Sequence, residues 1–281
     1  MPPSPRDRVW IDTHVHVIDS ARWPMSSNKG YRANAAERGT AEELLACMDA
    51  HGITGAVVVQ PSGYGTDHRA LHDALARAPE RLRGIGMVEA PTDVAALARQ
   101  PGIVGLRLNV TDYDGGVLPR ERLERLLGAA AEAGLLVQIL ASAEVLAGHA
   151  DALASSSAPV VLDHLGSPRS GDGVAASAFE ALCGLAARNP WIYAKLSAPF
   201  RIDASGAPWP EAAAVARRLL QAFGPERCIW GSDWPFIALG DAPRPAYADL
   251  LAWVDTAVGL HLEHVMSLTP QRLFGLTAAA A

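Results

Sequence analysis

Short apolar runs alternate with amphipathic segments along the whole chain, and this rhythm predicts the fold. Several runs are apolar at consecutive positions, as in Gly55-Ala56-Val57-Val58-Val59. A continuous apolar run is typical of a strand that is buried on both faces of a parallel sheet. The first predicted strand begins at Val9, and the others lie at 54–60, 82–88, 103–108, 135–140, 159–163, 191–196 and 227–231.

A helical segment follows each predicted strand. Thr40-Ala41-Glu42-Glu43 is typical of a capping box that opens a helix ending at Ala50, and Gly134 ends a later helix. The remaining predicted helices lie at 67–78, 92–99, 120–133, 143–153, 175–187, 210–223, and roughly 244–258 and 261–274.

Eight strand–helix units in 281 residues predict an α/β fold, a closed (β/α)8 TIM-type barrel. We expect one domain over residues 1–281, with residues 1–8 as a flexible lead. An open doubly wound sheet is the structural alternative, but such a sheet rarely needs eight parallel strands.

Composition narrows the class of protein. Hydrophobic residues make up 49% of the chain, so a large core is available. The net charge of -6 and the lack of a basic block argue against a nucleic-acid partner. No apolar run is long enough to span a membrane, and the polar N-terminus lacks a signal-peptide core. The three separated cysteines fit a reducing compartment, so we expect a cytoplasmic protein.

Polar residues of chemical interest follow the predicted strands. Side chains alternate along a strand, so His14 and His16 point to the same side of the first one. In a barrel the C-terminal strand ends meet at one rim, where His164 and Asp233 also lie. These four residues have the types needed to bind one divalent ion with a water, or to polarise a carbonyl beside a carboxylate base.

Three motifs together resemble the amidohydrolase superfamily. They are Asp12-Thr13-His14-Val15-His16, Asp163-His164-Leu165-Gly166 and Gly231-Ser232-Asp233-Trp234-Pro235. The resemblance covers the chain from about residue 9 onward. Within that superfamily, the chain more narrowly resembles the lactone and 2-pyrone-4,6-dicarboxylate hydrolases. Two further segments extend this resemblance, Gly105-Leu106-Arg107-Leu108-Asn109 and Lys195-Leu196-Ser197.

The resemblance implies a barrel enzyme that hydrolyses a small carboxylated lactone. It assigns Asp233 as the base that deprotonates water, and His14, His16 and His164 as carbonyl-polarising donors or metal ligands. Arg107 matches a substrate-binding arginine, and Tyr31 and Arg201 match residues that hold carboxylates.

Two further residues, Ser62 and Lys195, are candidates for substrate binding because of their positions in the sequence alone. Ser62 follows the second strand and is expected to line the pocket. Lys195 either pairs with a carboxylate inside the barrel or binds substrate. Arg107, between apolar neighbours, needs an anion, either a substrate carboxylate or an internal partner such as Asp112.

The chain departs from the binuclear members of the superfamily at two strand ends. Arg107 and Gln138 stand where those members have a lysine or glutamate and a histidine, which argues against a two-metal site. A single zinc held by His14, His16, His164 and Asp233 is one option, and a metal-independent reaction is the other.

Specificity is also left open. The second arginine of the dicarboxylate hydrolases has no counterpart in 110–116, which favours a sugar-acid or other monocarboxylate lactone. Oligomeric state and the roles of loops 17–39 and 111–118 are not predicted. The first alternative is a metal-dependent decarboxylase of the same superfamily, and the second is a non-catalytic barrel that binds a small acid.

Overall fold

A single sheet of eight parallel strands forms the centre of the molecule. The computed structural model describes residues 9–25, 31–110, 118–168, 177–240 and 242–277. Within them, each strand pairs with the next strand along the chain. The strands are β1 (Ile11–Val15), β2 (Gly55–Val59), β3 (Leu82–Gly86), β4 (Ile103–Asn109), β5 (Leu136–Leu140), β6 (Val160–Leu162), β7 (Ile192–Ser197) and β8 (Cys228–Gly231).

Backbone hydrogen bonds join the last strand to the first. The Asp233 N–H donates to the His14 carbonyl at 2.8 Å, and the His16 N–H donates to the Trp234 carbonyl at 2.7 Å. Gly231 permits this close approach, because a Cβ there would lie 2.6 Å from the His14 Cβ. The predicted (β/α)8 barrel is therefore confirmed, and the open-sheet alternative is wrong.

Helices surround the barrel. They are α1 (Ala41–Ala50), α2 (Arg69–Arg77), α3 (Val94–Ala98), α4 (Arg120–Ala133), α5 (Ala143–Gly148), α6 (Ala150–Ala154), α7 (Ser177–Arg188), α8 (Pro210–Phe223), α9 (Tyr247–Val258) and α10 (Thr269–Phe274). The Thr40–Glu43 capping box is present. The helix predicted at 143–153 is divided at His149, and a π-helical turn at His264–Leu268 precedes α10.

The described helices include none that has both the length and the apolar character to cross a membrane. The predicted lead, residues 1–8, and most of loop 111–118 lie outside the described residues.

The lower half of the barrel interior is apolar. Every strand contributes to it, and α10 and the residues after it close its base. Its members are Ile11, Val57, Val59, Ile85, Leu136, Val161, Tyr193 and Ile229, with Val104, Phe274 and Leu276 packed against them. Above this layer, towards the C-terminal strand ends, the buried side chains become polar.

An irregularity in β1 brings the first histidine into this interior. The register with β2 shifts between Asp12 and Val15. Ile11 belongs to the apolar layer, and His14 contacts interior side chains of β5 and β7, although residues three apart on a regular strand face opposite sides. The shift thus places the His14 side chain directly above the apolar layer.

Candidate active site

His14 and His16 stand at the end of β1, and both are fully buried. The His16 Nδ1 lies 2.8 Å from the Val59 carbonyl oxygen, which can only accept, so the ring carries its proton on Nδ1. Its Nε2 lies 3.3 Å from the His14 Nε2. Burial lowers the pKa of both imidazoles, which favours their neutral forms.

Asp233 faces these histidines from the turn after β8. Its backbone has a φ of 67°, a left-handed conformation that turns the carboxylate into the barrel. The Asp233 Oδ1 lies 3.2 Å from the His16 Nε2 and 3.6 Å from the His14 Nε2. The Oδ2 accepts hydrogen bonds from Arg201 Nε at 2.9 Å and Nη2 at 2.5 Å.

The arginine decides the charge of this carboxyl group. Burial opposes its ionisation, but Arg201 outweighs burial and holds the pKa of Asp233 well below its ordinary value. Asp233 is therefore a carboxylate at neutral pH. Arg201, which is predicted to bind substrate carboxylates, is paired in this structure with an acid of the site.

His164 reaches the same point from the turn after β6. Its φ is 48°, and its ring centroid lies 4.7 Å from that of His14. The Nδ1 lies 2.9 Å from the Ser197 hydroxyl at the end of β7. Burial lowers the pKa of His164 to about 4, so the ring is neutral near pH 7.

Three of these groups suit a metal ion by type and spacing. Ligand atoms of His14, His164 and Asp233 all lie within 4.8 Å of one another, and all three residues are buried. Two imidazole nitrogens and one carboxylate oxygen form the set of three protein ligands that a catalytic zinc uses. The residues present therefore fit a single divalent ion, although His16, the fourth expected ligand, is not part of this group.

A second polar layer lies beneath His14. Lys195 is fully buried, and its Nζ donates to the Gln138 Oε1 at 2.7 Å and lies 3.2 Å from the Asp163 Oδ1. Burial opposes ionisation of Asp163, but Lys195 outweighs burial and holds its pKa below the ordinary value. Of the two expectations for Lys195, the structure fits the internal ion pair. Its side chain lies below the cavity, not on its wall.

The cavity above the four catalytic candidates has a volume of about 280 Å³. It is open to solvent at the C-terminal side of the barrel. The described residues that line it are His16, Tyr31, Ser62, Arg107, Asn109, Leu140, His164, Ser167, Pro168, Arg201, Ile202, Asp233, Ile237 and Ala238. Four of the five residues predicted to bind substrate are therefore on its wall, and Lys195 is the exception.

The polar wall residues have internal partners. Arg107 donates to the Gln60 carbonyl at 3.3 Å, and its Nε lies 3.9 Å from the Asp163 Oδ2. The Asn109 amide donates to the Ser62 hydroxyl at 3.3 Å. Asp112, the internal partner suggested for Arg107, lies outside the described residues.

Tyr31 is held by an acid that the sequence analysis did not consider. Its hydroxyl donates to the Glu37 Oε2 at 2.7 Å, and burial followed by this contact raises the pKa of Tyr31. The same Glu37 oxygen accepts from the Asn34 N–H in a capping box. The Asn34-x-x-Glu37 spacing was the available signal for that fixed carboxylate.

A second missed contact fixes the two strands that carry the site. Asp12 Oδ1 accepts from the backbone N–H groups of His14 and Ser232, at 3.1 and 2.9 Å. Its Oδ2 accepts from the Tyr247 hydroxyl at 2.7 Å. Asp12 therefore ties the β1 histidines to the turn that carries Asp233.

Comparison with known proteins agrees with this geometry. The family model described as amidohydrolase matches residues 11–276. The chain belongs to the amidohydrolase family. It is 32% identical to a 4-sulfomuconolactone hydrolase of Rhizobium radiobacter, over 94% of this chain and 89% of the relative. It is 28% identical to a 2-pyrone-4,6-dicarboxylate hydrolase of Comamonas testosteroni, over 82% and 78%.

A third relative and a solved structure extend the comparison. An L-fucono-1,5-lactonase of Burkholderia ambifaria is 30% identical over 87% of this amidohydrolase and 86% of its own length. The crystal structure of a probable 2-pyrone-4,6-dicarboxylic acid hydrolase from Acinetobacter baumannii, with citric acid bound, has a TM-score of 0.82 at 26% identity. It covers 95% of this chain and 99% of its own. The resemblance stated from the sequence motifs is confirmed.

Proposed function

We propose that this amidohydrolase is a lactonase that opens a small carboxylated lactone by attack of water, with Asp233 as the general base. One observation carries the proposal. The Asp233 carboxylate is ionised, buried and within 3.6 Å of two imidazoles, on the wall of a cavity that also holds Arg107. The three curated relatives described above are all named as enzymes that act on lactones or a pyrone.

The reaction assigns one task to each group. Asp233 accepts a proton from water as the water oxygen bonds to the lactone carbonyl carbon. The His164 imidazole reaches the cavity, where an N–H donor would stabilise the developing oxyanion and contribute a few kcal/mol. The His16 Nε2 can only accept there, because the proton of that ring is held on Nδ1 by Val59. The ring C–O bond then breaks, and the proton on Asp233 passes to the departing alkoxide. Lactone and water give one hydroxy acid.

A metal ion is compatible with this scheme. His14, His164 and Asp233 are the residues that would hold it, with His16 beside them. When bound, a divalent ion supplies Lewis-acid polarisation of the carbonyl and lowers the pKa of water. The proton transfers assigned to Asp233 are unchanged in either case.

We propose a carboxylate on the substrate because the cavity wall includes a nearly buried arginine. Arg107 is 3% exposed and lies on the cavity wall. A guanidinium in this position can bind a substrate carboxylate through a forked pair of hydrogen bonds. The relative of known structure that has citric acid bound is consistent with a cavity for carboxylates. With Arg201 paired to Asp233, a monocarboxylate is favoured over a dicarboxylate.

The test is a pH-indicator screen of purified protein against sugar-acid lactones, muconolactones and pyrone carboxylates. The protein is assayed as isolated, after chelator treatment and after zinc addition, with metal content measured in parallel. Turnover of a carboxylated lactone, faster than turnover of its methyl ester, is the expected result. Release of carbon dioxide from an unsaturated acid, with no lactone turnover, would identify the decarboxylase alternative instead. Binding of these acids with no turnover of any kind would identify a non-catalytic barrel.

A further inference from the structure

Lys195 is a buried charged side chain to which the proposed reaction assigns no task. The chain has two lysines, Lys29 and Lys195, and Lys195 is fully enclosed in the barrel. Burying an ammonium group costs several kcal/mol unless close partners compensate it. Since Lys195 does not line the cavity, it acts on the reaction, if at all, through the residues that it touches.

Two donors converge on one nitrogen of His14. The Lys195 Nζ and the Gln138 Nε2 lie 3.2 and 3.4 Å from the His14 Nδ1. The orientation of the Gln138 amide is fixed by its other partners. Its Oε1 accepts from Lys195 at 2.7 Å, and its Nε2 donates to the Asp163 Oδ2 at 3.0 Å. Neither group near Nδ1 is therefore an acceptor.

The opposite tautomer of His14 lacks a good acceptor. A proton on Nδ1 would need the Asp163 Oδ1, which lies 3.6 Å away, beyond normal hydrogen-bond length, and it would meet Lys195 on the way. With the proton on Nε2, the His14 Nδ1 can accept from both Lys195 and Gln138. The His14 Nε2–H faces the His16 Nε2 at 3.3 Å, and that nitrogen is free to accept because the His16 Nδ1 donates to Val59.

We propose that Lys195 is a positioning residue that, with Gln138, keeps the His14 proton on Nε2 and so sets the metal preference of the site. In this state His14 donates a hydrogen bond into the site. A metal ion can bind the His14 Nε2 only after that proton moves to Nδ1, against the two donors that face Nδ1. The lysine thus weakens metal binding by a site whose residue types suit zinc.

Nitrogen-15 NMR of chelator-treated, histidine-labelled protein tests the first half of the proposal. The pattern of long-range couplings distinguishes an Nε2–H ring from an Nδ1–H ring, and loss of one signal set in His14→Gln assigns it. The Nε2–H form is expected for His14 in the metal-free enzyme. An Nδ1–H form there would overturn the proposal.

Zinc affinity tests the second half. Lys195→Met alone leaves the Asp163 charge unpaired, and Asp163→Asn alone leaves the Lys195 charge unpaired, so either single variant can fail to fold. We therefore compare the wild type with Asp163→Asn/Lys195→Met, in which the net charge at this position is unchanged. Zinc dissociation constants are measured by chelator competition, after circular dichroism has shown that the double variant folds.

The double variant is expected to bind zinc at least tenfold more tightly than the wild type. Without Lys195, the Gln138 amide can turn so that its oxygen accepts a hydrogen bond from an Nδ1–H of His14. Equal zinc affinity in the two proteins would overturn the proposal, as would weaker binding by the double variant. Neither readout requires a substrate, so the outcome is independent of the proposed lactonase activity.

Discussion

Two buried aspartates in the barrel are each paired with a cationic side chain, and the two pairs lie at different depths. Asp163 and its partner Lys195 are both fully enclosed, with Nζ 3.2 Å from Oδ1. Asp233 is equally enclosed, but 25% of its partner Arg201 is exposed in the cavity. In both pairs the cation outweighs burial and holds the pKa of the carboxyl low.

The difference in depth separates a fixed support from a reactive group. Lys195 has its contacts within the protein, to Gln138, Asp163 and His14. Arg201 also donates to the Ile237 carbonyl, but part of its guanidinium faces the space that a substrate would fill. The same kind of ion pair can thus hold a histidine in place at one level and keep a catalytic carboxylate ionised at the next.

The largest expected effect is on kcat, when the carboxylate of Asp233 is neutralised. Asp233→Asn keeps the size of the side chain but removes the base, so kcat should fall by about 10²–10⁴-fold. Steady-state hydrolysis of whichever lactone the screen identifies measures this. Urea unfolding is the control, because the released Arg201 can be hydrated and the midpoint should move little. Retention of more than a tenth of kcat would remove Asp233 from the role of base.

The pair of Asp163 and Lys195 should contribute more to stability than the pair of Asp233 and Arg201. Lys195→Met leaves the Asp163 carboxylate buried without its cation, and breaking a buried pair in this way typically costs about 3–5 kcal/mol. Arg201→Met is the matched comparison, and a smaller loss is expected because Asp233 lines the open cavity, where water can reach its carboxylate once the guanidinium is removed. Urea denaturation of both variants gives the two free energies of unfolding. Equal losses would show that depth does not distinguish the pairs.

The sequence predicted the barrel closely because its signals are local. Helices 120–133 and 210–223 match α4 and α8, since apolar periodicity, Gly134 and Pro210 mark their ends. Parallel strands end at one rim, so strand positions alone predicted that His14, His16, His164 and Asp233 would meet.

What the sequence did not predict depends on depth and on contacts between distant elements. The pairing of Arg201 with Asp233 depends on how two loops fold over the rim. Alternation along β7 sets Lys195 one layer below Ser197, which is deducible only once the rim is known. The register shift in β1 has no signature in a single sequence.

Removal of the Arg201 guanidinium should shift the pH dependence of the reaction. Arg201 lowers the pKa of Asp233, so Arg201→Gln should raise that pKa, and the base would then be protonated at higher pH. The acid limb of the kcat profile is expected to move upward by about one to two pH units. Arg22→Gln, in an exposed pair with Asp73 that does not line the cavity, is the control and should leave the limb in place. An unmoved limb in Arg201→Gln would mean that Asp233 does not limit activity at low pH.

The smallest effect is expected at His68, a partly buried histidine whose described hydrogen bond is to a backbone N–H group. Its pKa is lowered, whereas a histidine paired with a carboxylate has a raised pKa, so the dependence of stability on pH has the opposite sign. The His68 Nε2 accepts the Met87 N–H at 3.0 Å, and burial lowers the pKa of His68 to about 4 from an ordinary value of 6.5. The folded state therefore prefers neutral His68. Its contribution to stability is present above pH 6.5 and is lost as the pH falls towards 4.

In His68→Gln that pH dependence should disappear. We expect the difference in unfolding free energy between wild type and variant to shrink by about 1 kcal/mol between pH 7 and pH 4.5, after allowance for solvent screening of a partly exposed group. Urea titrations at both pH values measure it. His261→Gln, which removes an exposed histidine, is the matched control. A constant difference for His68→Gln would mean that burial without a charged partner does not control this group.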